Sequence, residues 1–265
     1  MDIVIRPTAN HAERLTAQLV ADHIAAYPAT VLGCATGRTY VPVYARLAAM
    51  HRETGLDFRG VSTFNLDEYV GIPGGDPRSF RFYMVEHLFQ RVNIDPANCR
   101  LPDGMASDLL AECRDYEGAI VAAGGIDLQL LGIGLTGHIG FNEPGSALHS
   151  RTRTKALSEL TRQQNAPAFD GIENVPARAI TMGIGTILDA RRCLLLATGA
   201  EKSQVVANAL EGPVSASVPA SALQFHPDCT VILDEAAAAG LKNTSYYVST
   251  YALEPEWAPY RDAGF

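Results

Sequence analysis

Gly132-Ile-Gly-Leu-Thr-Gly-His-Ile-Gly-Phe-Asn-Glu-Pro-Gly145, directly after the apolar run Ile126-Asp-Leu-Gln-Leu-Leu131, is the stretch on which the reading of this 265-residue chain turns. The apolar run has the length and bounds of a buried strand. A strand that ends in five glycines, with His138 and Glu143 set among them, places an acid/base pair on backbone that can approach a ligand closely. Gly132, Gly134 and Gly137 also spell G-x-G-x-x-G. That dinucleotide fingerprint must open a helix whose N-terminus takes a pyrophosphate. Here Ile139-Gly-Phe-Asn-Glu-Pro-Gly145 is poor helix material, and no second strand ending in an acid follows about 20 residues on. The run therefore reads as an active-site loop, and no cofactor is expected.

Outward from this loop, short apolar runs alternate with amphipathic stretches. Strands are expected over 3–5, 30–34, 61–65, 126–132, 179–182, 192–198 and 230–233. Helices are expected over 11–27, 40–52, 80–91, 107–123, 186–190 and 201–210. This alternation predicts an α/β fold: a doubly wound, mainly parallel sheet with helices on both faces. With 47% hydrophobic residues and no low-complexity tract or repeat to divide it, the chain is expected to form a single domain over 1–265. Ligands in such sheets bind beyond the carboxyl ends of the strands, near a switch in strand order.

Composition narrows the partners. A formal charge of −8 gives no basic footprint for nucleic acid, so an anionic ligand must be small and held by a local cluster of donors. No apolar run approaches the ~18 residues that span a bilayer, and the start lacks a secretory pattern. A cytoplasmic protein with no membrane partner is expected. Cys34, Cys99, Cys113, Cys193 and Cys229 are odd in number and lack C-x-x-C spacing, as reduced core thiols would.

Three segments just after strands carry chemistry. The turn Ala35-Thr-Gly-Arg-Thr39 leads into a helix, and its backbone N–H groups could cradle a phosphate; a plain turn with an N-cap threonine reads equally well. In Leu66-Asp-Glu-Tyr-Val-Gly71, one of two adjacent carboxylates flanked by aromatics could serve as a general base, although such a pair is often just solvated. In the opening loop, His138 and Glu143 can pair if the loop folds back, which fixes the imidazole tautomer and supports its charge. A metal trio of His138, Glu143 and His149 lacks the helical or Cys/His spacing of such sites, so no metal is expected.

Phe64-Asn-Leu-Asp-Glu-Tyr-Val-Gly71, the loop Gly132 to Gly145 and Ser150-Arg-Thr-Arg153 together resemble the glucosamine-6-phosphate deaminase (glucosamine-6-phosphate isomerase) family, collinearly to about residue 242. The 6-phosphogluconolactonases share its fold, but the Phe-Asn-Glu-Pro continuation resembles the deaminases. What the resemblance implies is a metal-free conversion of glucosamine 6-phosphate and water to fructose 6-phosphate and ammonia through an enol-type intermediate. It further implies a homo-oligomer with a small-molecule sugar phosphate as its partner. By position, Asp67 is similar to the proton-shuttling base, His138 to the group that assists ring opening, and Glu143 to the carboxylate that orients it. Thr36, Gly37, Arg38 and Thr39 match the phosphate loop, and Lys202 the phosphate-binding lysine. Arg153 and Lys155 match positions that bind an allosteric activator in regulated members.

Three positions depart from that pattern. Thr136 stands where an aspartate, sometimes an asparagine, precedes the Gly-His; a hydroxyl can orient the histidine loop but brings no charge. Arg38 replaces a glycine of the phosphate loop, and Pro167 a phosphate-binding arginine. The altered loop leaves three alternatives open: a different hexosamine phosphate such as galactosamine 6-phosphate, plain aldose/ketose isomerisation, or a regulatory protein that binds a sugar phosphate without turnover.

Overall fold

The computed structural model describes residues 1–261. Its elements are β1 (Asp2–Arg6), α1 (Ala9–Ala26), β2 (Val31–Cys34), α2 (Val41–Thr54), β3 (Ser62–Asn65), β4 (Asp67–Tyr69), α3 (Phe80–His87), β5 (Cys99–Arg100), α4 (Leu109–Ala122) and β6 (Leu128–Leu131). There follow β7 (Arg153–Ala156), α5 (Glu159–Asn165), β8 (Arg178–Thr181), α6 (Ile184–Leu188), β9 (Arg192–Ala197), α7 (Ser203–Leu210), β10 (Cys229–Asp234), α8 (Glu235–Ala238), α9 (Thr244–Leu253) and α10 (Ala258–Arg261). The parallel sheet has the order β1-β10-β9-β6-β2-β3-β5 with helices flanking it, the α/β class expected from the alternation. Its central strands are buried on both faces: Cys193 to Ala197 of β9 and all of β10 are covered, as continuous apolar runs in a parallel sheet require. From β2 the chain winds outward through β3 to β5, then returns to set β6 on the other side of β2 and winds away through β9 and β10. The winding direction thus reverses between β2 and β6, the position at which sheets of this kind open a ligand crevice between the loops that leave the two strands.

The periodicity missed a second sheet, antiparallel, with the order β4-β8-β7. Residues 179–182 were expected in the parallel sheet; instead β8 pairs antiparallel with β4 and β7, Asp67 and Arg153 both lying opposite Thr181. Asp67 is accordingly the first residue of a strand, not part of a loop. The expected helix over 80–91 breaks at Leu88, which is buried with φ −136, and continues as a 3-10 turn, Phe89–Arg91. The helix expected over 201–210 opens with a 3-10 turn, Ala200–Lys202. Helix starts follow local chemistry: Thr8, Ser79, Asp108 and Ser158 each accept backbone N–H groups of the first turn of α1, α3, α4 and α5.

The main core runs from Ile3 to Trp257, and a smaller one gathers Tyr69, Phe141, Leu157, Phe169, Val175 and Ala179 beside the second sheet. All five cysteines are buried as free thiols. Among the described residues no helix is long and apolar enough to cross a membrane.

Candidate active site

The loop after β6 folds back on itself as the glycines allow. The Gly134 N–H donates to the His138 carbonyl at 2.9 Å, which returns the histidine to the start of the loop. The imidazole then lies flat against Gly134: a Cβ there would come within 2.1 Å of the ring, so no other residue fits.

Thr136, between them in sequence, also lies between His138 and Glu143 in space. His138 Nδ1 is 2.7 Å from Thr136 Oγ1, Thr136 Oγ1 donates to Glu143 Oε2 at 3.1 Å, and Nδ1 is 3.6 Å from Oε2. A hydroxyl has one proton and an ionised carboxylate has none, so the Thr136 proton goes to Glu143 and Nδ1–H donates to Thr136. This assigns the tautomer and leaves Nε2 as the exchangeable position. Burial pushes the Glu143 carboxyl up, but the His138 imidazole, the Thr161 hydroxyl and the Ser158 N–H outweigh it and hold the group at about 2. The expected His138–Glu143 pair is thus present, with Thr136 inserted as a bridge.

The two carboxylates after β3 have opposite fates. Glu68 is anchored, accepting the N–H groups of Tyr69, Phe80 and Arg81 at 2.9, 3.0 and 2.9 Å. Asp67 is 5% exposed, and among the described residues nothing donates to its carboxylate. Burial, with the Glu68 charge adding to it, pushes its carboxyl up to about 8. It borders the catalytic loop: a Cβ on Gly140 would lie 3.4 Å from Asp67 Oδ2. A carboxyl of this kind, without a structural partner and tuned near neutrality, is what a general base requires.

Across the crevice, the turn after β2 carries Gly37 at φ +103, a conformation that only glycine adopts readily. Its carbonyl is held by the Tyr83 hydroxyl at 2.8 Å and by Tyr40 N–H. Among the described residues, no protein acceptor takes the backbone N–H of Thr36, Gly37, Arg38 or Thr39. These four N–H groups stand at the entry to α2, where backbone donors of this kind can meet an anion. Lys202 Nζ reaches the first residues of the catalytic loop, donating to the Ile133 carbonyl at 2.8 Å. Burial and, to a lesser degree, the Arg38 charge lower its pKa, while Glu201 raises it. Arg38 is exposed and makes no ion pair among the described residues. Pro167 is exposed in the 3-10 turn Ala166–Ala168.

Arg153 and Lys155 occupy alternate positions, hence one face, of the edge strand β7. Arg153 is half-buried and donates through Nη1 to Asn142 Oδ1 at 2.9 Å, while its Nη2 is buried without a partner. Arg151, between them and Ser150, serves structure instead, pairing with Glu117 and Asp189. Several contributors escaped the sequence reading: Tyr83 under the phosphate loop, Ser158 and Thr161 on Glu143, and Asn142, whose amide donates to Ile139 and Met182 carbonyls. Hydroxyls and amides of this kind give no periodic signal; only the Ser158 N-cap spacing was visible in principle.

The sequence model of the family described as glucosamine-6-phosphate isomerases/6-phosphogluconolactonase matches residues 6–232. A protein named glucosamine-6-phosphate deaminase from Pseudarthrobacter chlorophenolicus is 51% identical over 257 residues, covering 97% of this chain and 99% of that protein. One of the same name from Streptomyces coelicolor is 50% identical over 258 residues, again covering 97% and 99%. Among solved structures, a monomeric glucosamine-6-phosphate deaminase superposes with a TM-score of 0.89 at 45% identity, covering 91% of this chain and 100% of that one. The 6-phosphogluconolactonase from Trypanosoma brucei, with a TM-score of 0.75 at 21% identity over 91% and 98% of the two chains, shares the fold.

Proposed function

The chain belongs to the glucosamine-6-phosphate isomerase/6-phosphogluconolactonase family, and from that premise we propose that it is a glucosamine-6-phosphate deaminase, converting its substrate and water to fructose 6-phosphate and ammonia. The observation that carries this reading is Asp67: a buried carboxyl near 8, without a hydrogen-bond donor among the described residues, beside the loop that holds His138.

On this reading the ring oxygen of the bound sugar takes a proton from His138 Nε2 as the C1–ring-oxygen bond breaks and the C1 hydroxyl gives its proton to solvent, leaving the C1 aldehyde. Glu143 and Thr136 hold the imidazole in the orientation and tautomer for that transfer. Asp67 removes the C2 proton, the electron pair forms the C1–C2 double bond as the C1 oxygen takes a proton from solvent to give an enol-type intermediate, and Asp67 returns its proton to C1 as the nitrogen lone pair forms the C2 imine. Water adds to the resulting C2 imine, and the C–N bond breaks to release ammonia. Each positioned acid or base contributes about 10²- to 10⁴-fold. The phosphate sits on the N–H groups of 36–39, with Lys202 as one cation and Arg38 as the second, so that Arg38 replaces from within the loop the charge absent at Pro167. Arg153 and Lys155, on one face of β7, would take an effector phosphate. Every group the reaction uses comes from one chain, and the five buried free thiols fit the cytoplasm.

Thr136 was the feature that favoured a binding protein without turnover. Its place in an unbroken His138–Thr136–Glu143 chain favours catalysis instead. Coupled detection of ammonia and fructose 6-phosphate from glucosamine 6-phosphate tests the proposal. Isomer without ammonia means an isomerase, and binding without either product means a regulatory protein.

A further inference from the structure

The Glu143 carboxylate is shared between two pieces of chain. Oε2 faces the catalytic loop, meeting the Thr136 hydroxyl at 3.1 Å and His138 Nδ1 at 3.6 Å. Oε1 faces the first turn of α5, meeting Thr161 Oγ1 at 2.5 Å, Ser158 Oγ at 3.0 Å and Ser158 N–H at 3.2 Å. The start of α5 is already capped by Ser158, which accepts the Thr161 N–H. The Thr161 hydroxyl is 1% exposed at the residue level, and its proton goes to Glu143. A buried hydroxyl that the helix does not need, aimed at a carboxylate that touches the catalytic imidazole, has its purpose on the carboxylate.

Building on the proposed reaction, we infer that Thr161, assisted by Ser158, is a positioning residue that acts through Glu143: the first turn of α5 fixes the orientation and charge of the carboxylate beside His138. Two free lone-pair directions on Oε1 would let the carboxylate turn away from the histidine, and the α5 donors fill them. The charged groups around Glu143 leave this role to the hydroxyls. His138 is the charge it faces from the loop, and Asp67 lies beyond Gly140. On α5, Glu159 is engaged by Gln163, and Arg162 donates to the Ile172 carbonyl. The segment 158–175 is docked a second time by Phe169 and Val175 in the small core with Tyr69 and Phe141, Phe169 lying edge-on to Tyr69 at 5.2 Å. Tyr69 follows Asp67 by two residues and Phe141 precedes Glu143 by two.

The test compares Thr161→Val, Thr161→Ser and Ser158→Ala with the wild type in two readouts. One is the carboxyl ¹³C titration of Glu143 in the ligand-free protein; the other is the pH profile of kcat and KM with glucosamine 6-phosphate. Loss of a donor to an ionised carboxylate raises its pKa by about one unit or more. Thr161→Val should move the Glu143 midpoint up by that amount and, because Glu143 stays ionised while its orientation is lost, lower kcat about 10-fold across the working pH range with KM little changed. Thr161→Ser should restore both, and Ser158→Ala should shift the midpoint in the same direction. A Thr161→Val protein whose Glu143 midpoint is unmoved, or whose kcat equals the wild type's, would overturn the inference, as would a serine variant that restores neither. If the valine variant does not fold, the midpoints of the serine and alanine variants decide by the same criteria. Should the wild type not turn over glucosamine 6-phosphate, the proposed reaction falls, while the Glu143 titration still decides the role of Thr161.

Discussion

Asp67 and Glu143 are two buried carboxylates in one site that differ by their donors, and the difference has opposite consequences for stability. Asp67 has a folded pKa of about 8, far above the ~3.9 of an unfolded aspartate. Between those values the folded state binds the extra proton, so the contribution of Asp67 to stability falls as pH rises from about 4 to 8. Glu143, held at about 2, stabilises the fold above the ~4.3 of an unfolded glutamate, and that stabilisation is lost as pH falls toward 2. Asp67→Asn should therefore raise Tm, by an increment that grows between pH 5 and pH 8, while lowering kcat by about 10²-fold or more with substrate still bound. Thermal melts across that range check the first half; a flat increment would mean that Asp67 is ionised and solvated. At Thr136, valine removes both bonds of the bridge and should cost about 10-fold or more in kcat, while serine should keep it. Thr136→Asp places a charge beside His138 and should extend activity to higher pH. An unchanged basic limb would assign the state of the histidine to Glu143 alone.

Elements differ in how plainly the sequence announces them. The central parallel strands are apolar runs, such as Arg192-Cys-Leu-Leu-Leu-Ala197, and every expected strand but the 179–182 run lies in that sheet, while the two-residue β5, Cys99–Arg100, was not expected. Strands β4 and β7 were invisible because Asp67-Glu-Tyr69 and Arg153-Thr-Lys-Ala156 are short and polar; pairing with β8, not local preference, makes them strands. That second sheet brings β4, with its base, and β7, with its effector candidates, onto opposite edges of β8. The pairing of His138 with Glu143 was legible because the loop's glycines let it fold back, whereas the contacts of Thr161 with Glu143 and of Tyr83 with Gly37 exist only once the fold brings distant segments together. At the phosphate loop, Arg38→Gly should raise KM several-fold with little change in kcat, since the phosphate is held alike in ground and transition states. Tyr83→Phe frees the Gly37 carbonyl and should act in the same sense, read as weaker competition by inorganic phosphate. An Arg38→Gly enzyme with wild-type KM would place the guanidinium in solvent and leave Lys202 as the cation of this subsite.

Over the whole molecule, the winding reverses between β2 and β6, whose following loops are 35–40 and 132–152, and Asp67 opens β4 directly after β3. The account stands on the claim that one chain performs proton transfer between neighbouring carbons and then releases ammonia. Its most direct test is to incubate the protein with glucosamine 6-phosphate in D₂O and follow the products by proton NMR alongside an ammonia assay. The account predicts fructose 6-phosphate whose new C1 hydrogen comes from C2 of the substrate, with deuterium entering C1 only as far as the Asp67 carboxyl exchanges with solvent, ammonia in equal amount, and neither product with Asp67→Asn beyond about 1% of the wild-type rate. Unreacted substrate with its C2 proton intact, or ammonia formed at the wild-type rate by the Asp67→Asn protein, would contradict it.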